Sequence, residues 1–212
     1  MRILLADDHS LILNGIKNLL ENTHEIVGFS ENGRVLVDSA IKLKPDLIIL
    51  DVSMPILNGI DAGREIKKLL PSTRLIFLSM HSNPIYLRKA FDAGASAFVL
   101  KSGAAEELLT AIEEARKGRV YVSPALGRNV LHNVQVPTRV AVHLTGRQRQ
   151  ILQLVAEGRQ NKEIAEIVNI SVKTVEFHRS RLMSKVGAHS IAELTKFAIE
   201  EGIINVRHNG LT

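Results

Sequence analysis

The first half of the chain alternates short apolar runs with amphipathic stretches. The apolar runs cover 3–6, 25–29, 47–50, 75–78 and 97–100. They are rich in Ile, Leu and Val, and most have the continuous apolar character of strands buried on both faces. Between them, apolar positions return at helical spacing. Ile12, Leu13, Ile16, Leu19 and Leu20 follow Ser10, a candidate N-cap, and similar patterns run roughly over 33–43, 60–69, 84–93 and 104–117. Five strands alternating with five helices predict an α/β unit with a parallel sheet covered on both sides. In such sheets the site lies beyond the carboxyl ends of the strands.

The pattern weakens from Gly118 to His143, where Pro124, Gly127 and Pro137 punctuate the chain and one short helix is expected between 124 and 131. Beyond it every pattern is helical. Thr145 and Gln148 form a capping box before Ile151, Leu152 and Val155, and Gly158 ends that helix. A short helix over about 162–168 leads into the turn Asn169, Ile170, Ser171. Ser171 caps a helix that runs to Val186 and stops at Gly187. Ser190 with Glu193 opens the last helix, which ends near Gly202. The chain therefore divides into an α/β domain over 1–118, a linker over 119–142 and a smaller all-α domain over 143–212.

Composition agrees with two modest soluble domains. The chain has 212 residues, 45% of them hydrophobic and 23% charged. Its apolar runs are too short and interrupted to span a membrane, and the opening MRILLADD is no signal peptide. With no cysteine, disulfides, thiolate metal sites and cysteine nucleophiles are excluded, and the cytoplasm is the expected compartment. The net charge of +5 is uneven. Residues 1–118 hold 14 basic and 15 acidic side chains, whereas 119–212 hold 13 and 7, a balance of +6 that suits a polyanionic partner.

The candidate chemistry of the first domain sits at strand ends. Asp7 and Asp8 follow the first strand, Asp51 the third, Ser79 the fourth and Lys101 the fifth, so a parallel sheet gathers all five at one edge. Three crowded carboxylates raise one another's pKa unless a cation sits among them. A hard divalent ion such as Mg²⁺ fits oxygen donors of this kind and would also bind a phosphoryl group. Lys101 and Ser79 then offer a positive charge and a hydroxyl to phosphoryl oxygens. An aspartate after a strand is also an ordinary turn residue; the coincidence of five such positions is what marks this group.

The text around these positions resembles the receiver domain of response regulators: Leu5-Ala6-Asp7-Asp8-His9, Asp51-Val52-Ser53-Met54-Pro55, Asn58-Gly59, Leu78-Ser79-Met80-His81 and the stretch from Ala93 to Lys101. The resemblance implies a flavodoxin-like (βα)5 fold with Asp51 as phosphoacceptor. It implies that Asp8 ligates Mg²⁺ directly, that Asp7 acts largely through water and that the Ser53 backbone carbonyl completes the protein ligands. Lys101 would pair with the phosphoryl group, Ser79 would move toward it, and Phe98 would reorient as the switch aromatic; plain core packing is the alternative for Phe98. His9 is taken as structural. His81, two residues after Ser79, is a candidate for influencing hydrolysis of the phosphorylated form.

In the second domain, 161–186 reads as helix, turn, helix. Residues 173–185 carry Lys173, His178, Arg179, Arg181 and Lys185 against one acid, Glu176, and the helix start is a ready anion site. Leu144-Thr145, the stretch from Leu154 to Gly158, the stretch from Asn161 to Ala165, Ile170-Ser171, Thr174-Val175 and His178 resemble the LuxR-type helix-turn-helix, and the whole chain is similar to the NarL/FixJ subfamily. Two departures are Gln148 and Glu176, where members of the family often carry Glu and Lys. The resemblance implies a transcription regulator that binds double-stranded DNA as a homodimer and is switched by a sensor histidine kinase, not an enzyme. Helical geometry turns Val175, Leu182 and Val186 inward. Lys173, Glu176, Phe177 and Ser180 then face outward as candidate base readers. Lys162, Thr174, Arg181 and Lys185 are candidates for phosphates, and Arg179 for either role. The last helix, with Ile191, Leu194 and Phe197, offers a dimer face, or packs on its own domain.

Two rivals stand beside this picture. A phosphatase with an aspartate nucleophile would need a second aspartate where Ser53 stands. A receiver used as a docking module would need no phosphate at all.

Overall fold

The computed structural model describes residues 1–103, 105–126 and 142–204. The chain divides into two compact units.

In the first unit five strands are the expected ones: β1 Arg2–Ala6, β2 Glu25–Ser30, β3 Leu47–Asp51, β4 Arg74–Ser79 and β5 Ala97–Leu100. They alternate with α1 Ser10–Leu20, α2 Gly33–Leu43, α3 Gly59–Leu69, α4 Pro84–Asp92 and α5 Ala105–Arg116. All strands are parallel, in the order β2-β1-β3-β4-β5-β6. Successive side chains of a strand point to opposite faces, which splits the apolar runs into two cores. Leu4, Ile48, Leu50, Phe77, Phe98 and Leu100 pack with Leu36, Ile60, Ile66 and Tyr86 of α2, α3 and α4. Ile3, Leu5, Ile49, Ile76, Leu78 and Val99 pack with Leu13 and Leu20 of α1 and with Leu108 and Ile112 of α5. Helix starts follow local chemistry. Asn32, Asn58 and Asn83 each accept a backbone N–H of the helix they open, and Pro84 occupies the first turn of α4. At α1 the expected cap is displaced: Ser10 is already helical and His9 holds the N-cap, with no side-chain cap bond.

The sixth strand, β6 Tyr121–Val122, corrects the expected linker start. It pairs with Ala97 and Phe98 of β5. Ser123, fully buried, donates its N–H to Phe98 O at 3.0 Å, and its hydroxyl accepts the Leu100 N–H and donates to the Glu107 carboxylate. Leu126 is buried in the α2–α4 side core. Two half-buried residues carry no periodic signal, so the strand is invisible to a pattern search. Residues 124–126 are helical, and the remainder of the short helix expected over 124–131 lies outside the described residues.

The second unit is α6 Gly146–Ala156, α7 Asn161–Val168, α8 Val172–Val186 and α9 Ile191–Glu200. Ile151, Leu152, Leu154, Ile164, Val175, Leu182, Leu194 and Ala198 form its core. The Thr145–Gln148 capping box is present in full. A second box, Gln160 with Glu163, opens α7. Asn169 takes a left-handed conformation (φ 52°) to end α7, and Gly187 (φ 71°) ends α8. Ser190 accepts the Glu193 N–H as expected, but the Glu193 carboxylate accepts the His189 N–H.

Candidate functional site

Hydrogen bonding within the sheet fixes the strand ends of the first unit. The Val52 N–H donates to Leu78 O at 2.9 Å and the Lys101 N–H to Ser79 O at 2.8 Å, so β3, β4 and β5 finish level with one another. The Lys101 ammonium then lies 2.6 Å from Asp7 Oδ2 and 3.0 Å from Asp51 Oδ2. All three side chains are nearly inaccessible, at 5% exposure for Lys101, 1% for Asp7 and 5% for Asp51. Burial pushes the Asp51 carboxyl above its ordinary range, and the neighbouring Asp7 pushes the same way. The Lys101 charge and hydrogen bond, with a backbone hydrogen bond from Ser53, oppose that rise.

The loop after β3 holds its shape by a tight turn. The Leu57 N–H donates to Pro55 O at 2.7 Å, closing a three-residue γ-turn around Ile56, whose φ is +69°. A β-branched residue at positive φ is a strained outlier, so the surroundings must impose it. Two glycines show how. A Cβ on Gly59 would lie 1.9 Å from the Asp51 carbonyl oxygen, and one on Gly33 would lie 1.9 Å from the Leu57 carbonyl oxygen. The starts of α3 and α2 are thus pressed against this loop, and Gly59 N–H donates to Val52 O.

Asp7, Asp8, His9 and Asp51 each offer a ligand atom, and these atoms lie within 4.8 Å of one another. His9 Nδ1 is 3.1 Å from Asp7 Oδ1 and 2.9 Å from Asp8 Oδ1. Three carboxylates crowded at one edge form a donor set suited to a hard divalent cation.

Two expected phosphoryl-binding and switch residues have partners of their own. The Ser79 hydroxyl accepts the His81 N–H at 3.0 Å and donates to the His81 carbonyl at 3.1 Å. Phe98 is wholly buried in the sheet core. The His81 ring meets Tyr86 of α4 with centroids 5.8 Å apart.

In the second unit, α8 presents the expected faces. Val175 and Leu182 are fully buried and Val186 packs against the same core. Lys173, Glu176, Phe177, Ser180, Arg181 and Lys185 are exposed, as is Lys162 on α7, and Thr174 is half-buried. Ser171 accepts the Thr174 N–H at 3.1 Å, and the two hydroxyls lie 2.8 Å apart at the helix start. Arg181 stacks 5.1 Å over the Phe177 ring, which is 56% exposed. Arg179 instead donates to the Asn161 side chain, tying α8 to the start of α7. Whether Arg179 contacts a base or a phosphate is a separate matter that this bond does not decide.

Comparison with known proteins gives both units a family. Residues 3–113 match the response regulator receiver domain, and residues 142–198 match the bacterial regulatory proteins of the luxR family. The chain is a response regulator of this two-domain kind. It is 34% identical over 207 residues to the transcriptional regulatory protein MctR of Rhizobium johnstonii, covering 97% of this chain and 96% of that one. It is 33% identical over 218 residues to the oxygen regulatory protein NreC of Staphylococcus aureus, covering 96% and 99%. RcsB from Salmonella enterica serovar Typhimurium, solved on promoter P1flhDC with the phosphomimetic BeF3⁻, aligns at 31% identity and a TM-score of 0.60, covering 93% of this chain and 97% of that one. A structure of two RcsB dimers bound to two parallel DNAs aligns at 31% identity over 93% and 97%, with a TM-score of 0.59. The regulator thus joins a six-stranded receiver to a helical LuxR-type domain, the fold class and function its sequence led us to expect.

Sequence reasoning missed several contacts of this regulator. Ser123 had no motif to announce it. The Arg181–Phe177 stack could have been seen at the i, i+4 spacing. The Gln160–Glu163 box was legible in principle, but Gln is an unusual first member.

Proposed function

We propose that Asp51 accepts a phosphoryl group from a sensor histidine kinase and that its phosphorylation state governs double-stranded DNA binding through α7 and α8. The observation that carries this reading is the buried Lys101 ammonium held between Asp51 and Asp7. A carboxylate at this sheet edge can attack the phosphorus of phosphohistidine: a P–O bond forms, the P–N bond breaks, and the histidine leaves with its proton restored. Lys101 stabilises the ionised Asp51 beforehand and is in place to pair with phosphoryl oxygens afterwards. Asp7, Asp8, Asp51 and the Ser53 backbone carbonyl would hold Mg²⁺, which neutralises charge on the transferring phosphoryl group when bound. The Ser79 hydroxyl can turn toward an added phosphoryl oxygen only by giving up its two bonds to the His81 backbone, and that exchange would reshape the start of α4. Phe98 as switch aromatic needs more, because it must leave a closed core.

The exposed positively charged face of α8 supports the DNA half of the proposal. Lys173, Glu176, Phe177 and Ser180 would face base edges; Glu176 can accept from cytosine N4 and Phe177 can touch a thymine methyl. Lys162, Thr174, Arg181 and Lys185 would grip phosphates, with Arg179 orienting the pair of helices through Asn161. RcsB has been solved as dimers on DNA, and a two-fold dimer of this regulator would read half-sites about one helical turn apart. Among the described residues no helix is long and apolar enough to cross a membrane, which accords with action on DNA in the cytoplasm.

Incubation with radiolabelled acetyl phosphate and Mg²⁺ tests the phosphoacceptor. The native chain should take up acid-stable, base-labile label, and Asp51→Ala should take up none. Undiminished label on Asp51→Ala would overturn the assignment.

A further inference from the structure

The residue beside the carboxylate pair has chemistry that the phosphoacceptor assignment leaves unused. His9 holds the N-cap of α1 without making a side-chain cap bond, so its ring is not spent on the helix. Its Nδ1 lies instead 2.9 Å from Asp8 Oδ1 and 3.1 Å from Asp7 Oδ1. Its backbone N–H also donates to Asp7 Oδ1 at 3.0 Å, which holds the two residues in register. Adjacent ligands of an octahedral ion bound at about 2.1 Å lie roughly 3 Å from one another. The imidazole nitrogen therefore stands at the separation from both carboxylate oxygens that a shared ion requires.

We infer that His9 is a further ligand of the cation pocket, and that it biases the site toward divalent ions with affinity for nitrogen, such as Co²⁺ and Ni²⁺, relative to Mg²⁺. The inference rests on the proposal that this pocket holds a divalent cation. Three carboxylates alone form an oxygen site, the kind that suits Mg²⁺. Mg²⁺ also keeps several waters, so it gains little from a nitrogen neighbour. An imidazole in the donor set changes that balance, because later first-row ions bind nitrogen more strongly. Without an ion, the same contacts suit an Nδ1–H group that donates to Asp7 Oδ1. The two roles part company once an ion is present: a mere donor leaves ion preference untouched, whereas a ligand sets it. The His9 side chain is 59% exposed, so its replacement opens no core.

The experiment uses the full-length, untagged chain and its His9→Gln variant. Calorimetric titrations with CoCl2 and MgCl2 measure preference, and pulsed paramagnetic resonance of the Mn²⁺-loaded protein detects directly bound ¹⁴N. The native chain should show a bound nitrogen that His9→Gln lacks. The variant should lose Co²⁺ affinity by at least about tenfold, the loss that even outer-sphere partners of metal ligands produce. Its Mg²⁺ affinity should stay within about twofold, because water replaces the missing group. Mn²⁺ bound without nitrogen coupling, or an equal loss of Co²⁺ and Mg²⁺ affinity, would overturn the role of His9 and leave the cation pocket standing. Failure of the native chain to bind any of the three ions would overturn the pocket and the inference together.

Discussion

The two candidate sites of this regulator are built on opposite principles. The pocket around Asp51 is buried, and each of its members is held by the sheet or by a neighbour: Lys101 by its backbone bond to Ser79 and by two carboxylates, the β3–α3 loop by Gly59 and Gly33. The outer face of α8 is exposed, and most of its side chains answer to solvent. A phosphoryl-transfer site must hold its geometry before the ligand arrives. A DNA-reading face needs only a rigid helix beneath it, since the groove orders the side chains. Substitutions at the pocket should therefore register in folding, whereas substitutions at the exposed positions of α8 should register in binding alone.

The largest effect should come where backbone meets backbone. Gly59→Ala puts a Cβ against the Asp51 carbonyl oxygen with no side chain to yield. We expect a loss of about 3 kcal/mol or more, read by denaturant unfolding. A loss below about 1 kcal/mol would show that the start of α3 is not pinned to the pocket.

Asp51→Asn should act in the opposite direction. Burial raises the Asp51 carboxyl above its ordinary 3.8, so the folded state holds that proton more tightly than the unfolded chain does. The carboxyl favours the fold fully below its unfolded value, and that contribution is lost as pH rises through the raised folded value. At neutral pH the charged group therefore counts against the fold, and a neutral amide should raise the melting temperature by a few degrees. The gain should vanish as the pH falls toward 3.8. A gain that grew in acid would contradict the sign. On the exposed side, Lys185→Ala should weaken binding to all DNA sequences and reduce the slope of log affinity against log salt by about 1. Smallest of all in stability should be Phe177→Ala, within about 0.5 kcal/mol of the native chain, although it should change base preference in selected sites. A substantial destabilisation there would mean that the α8 face does structural work.

Much of this contrast was legible in the chain. The five strands, their helices and the ring of Asp7, Asp8, Asp51, Ser79 and Lys101 at one sheet edge follow from periodicity and strand ends, because buried parallel strands write unmistakable runs. The inward positions of Val175 and Leu182 on α8 follow from helical spacing in the same way. What escaped depends on contacts between segments distant in sequence. β6 is too short for a period, and Ser123 is recognisable only once its hydroxyl is seen between Leu100 and Glu107. The orientation of Ser79 toward His81, the completeness of the burial of Phe98 and the Arg179–Asn161 bond are likewise products of packing, to which local patterns are blind. His9 rather than Ser10 caps α1 because its own carbonyl accepts the Leu13 N–H, a contact no pattern of residue types announces.

The central claim, that the state of the Asp51 pocket controls the α8 face, is tested most directly by DNA binding. Full-length protein should be exposed to a pool of genomic fragments with and without Mg²⁺ and beryllofluoride, beside Asp51→Ala. The phosphate mimic should tighten binding to a discrete set of fragments, and Asp51→Ala should lose this gain. Sequence-specific binding that is indifferent to the mimic would contradict the claim and would make the first domain a docking module.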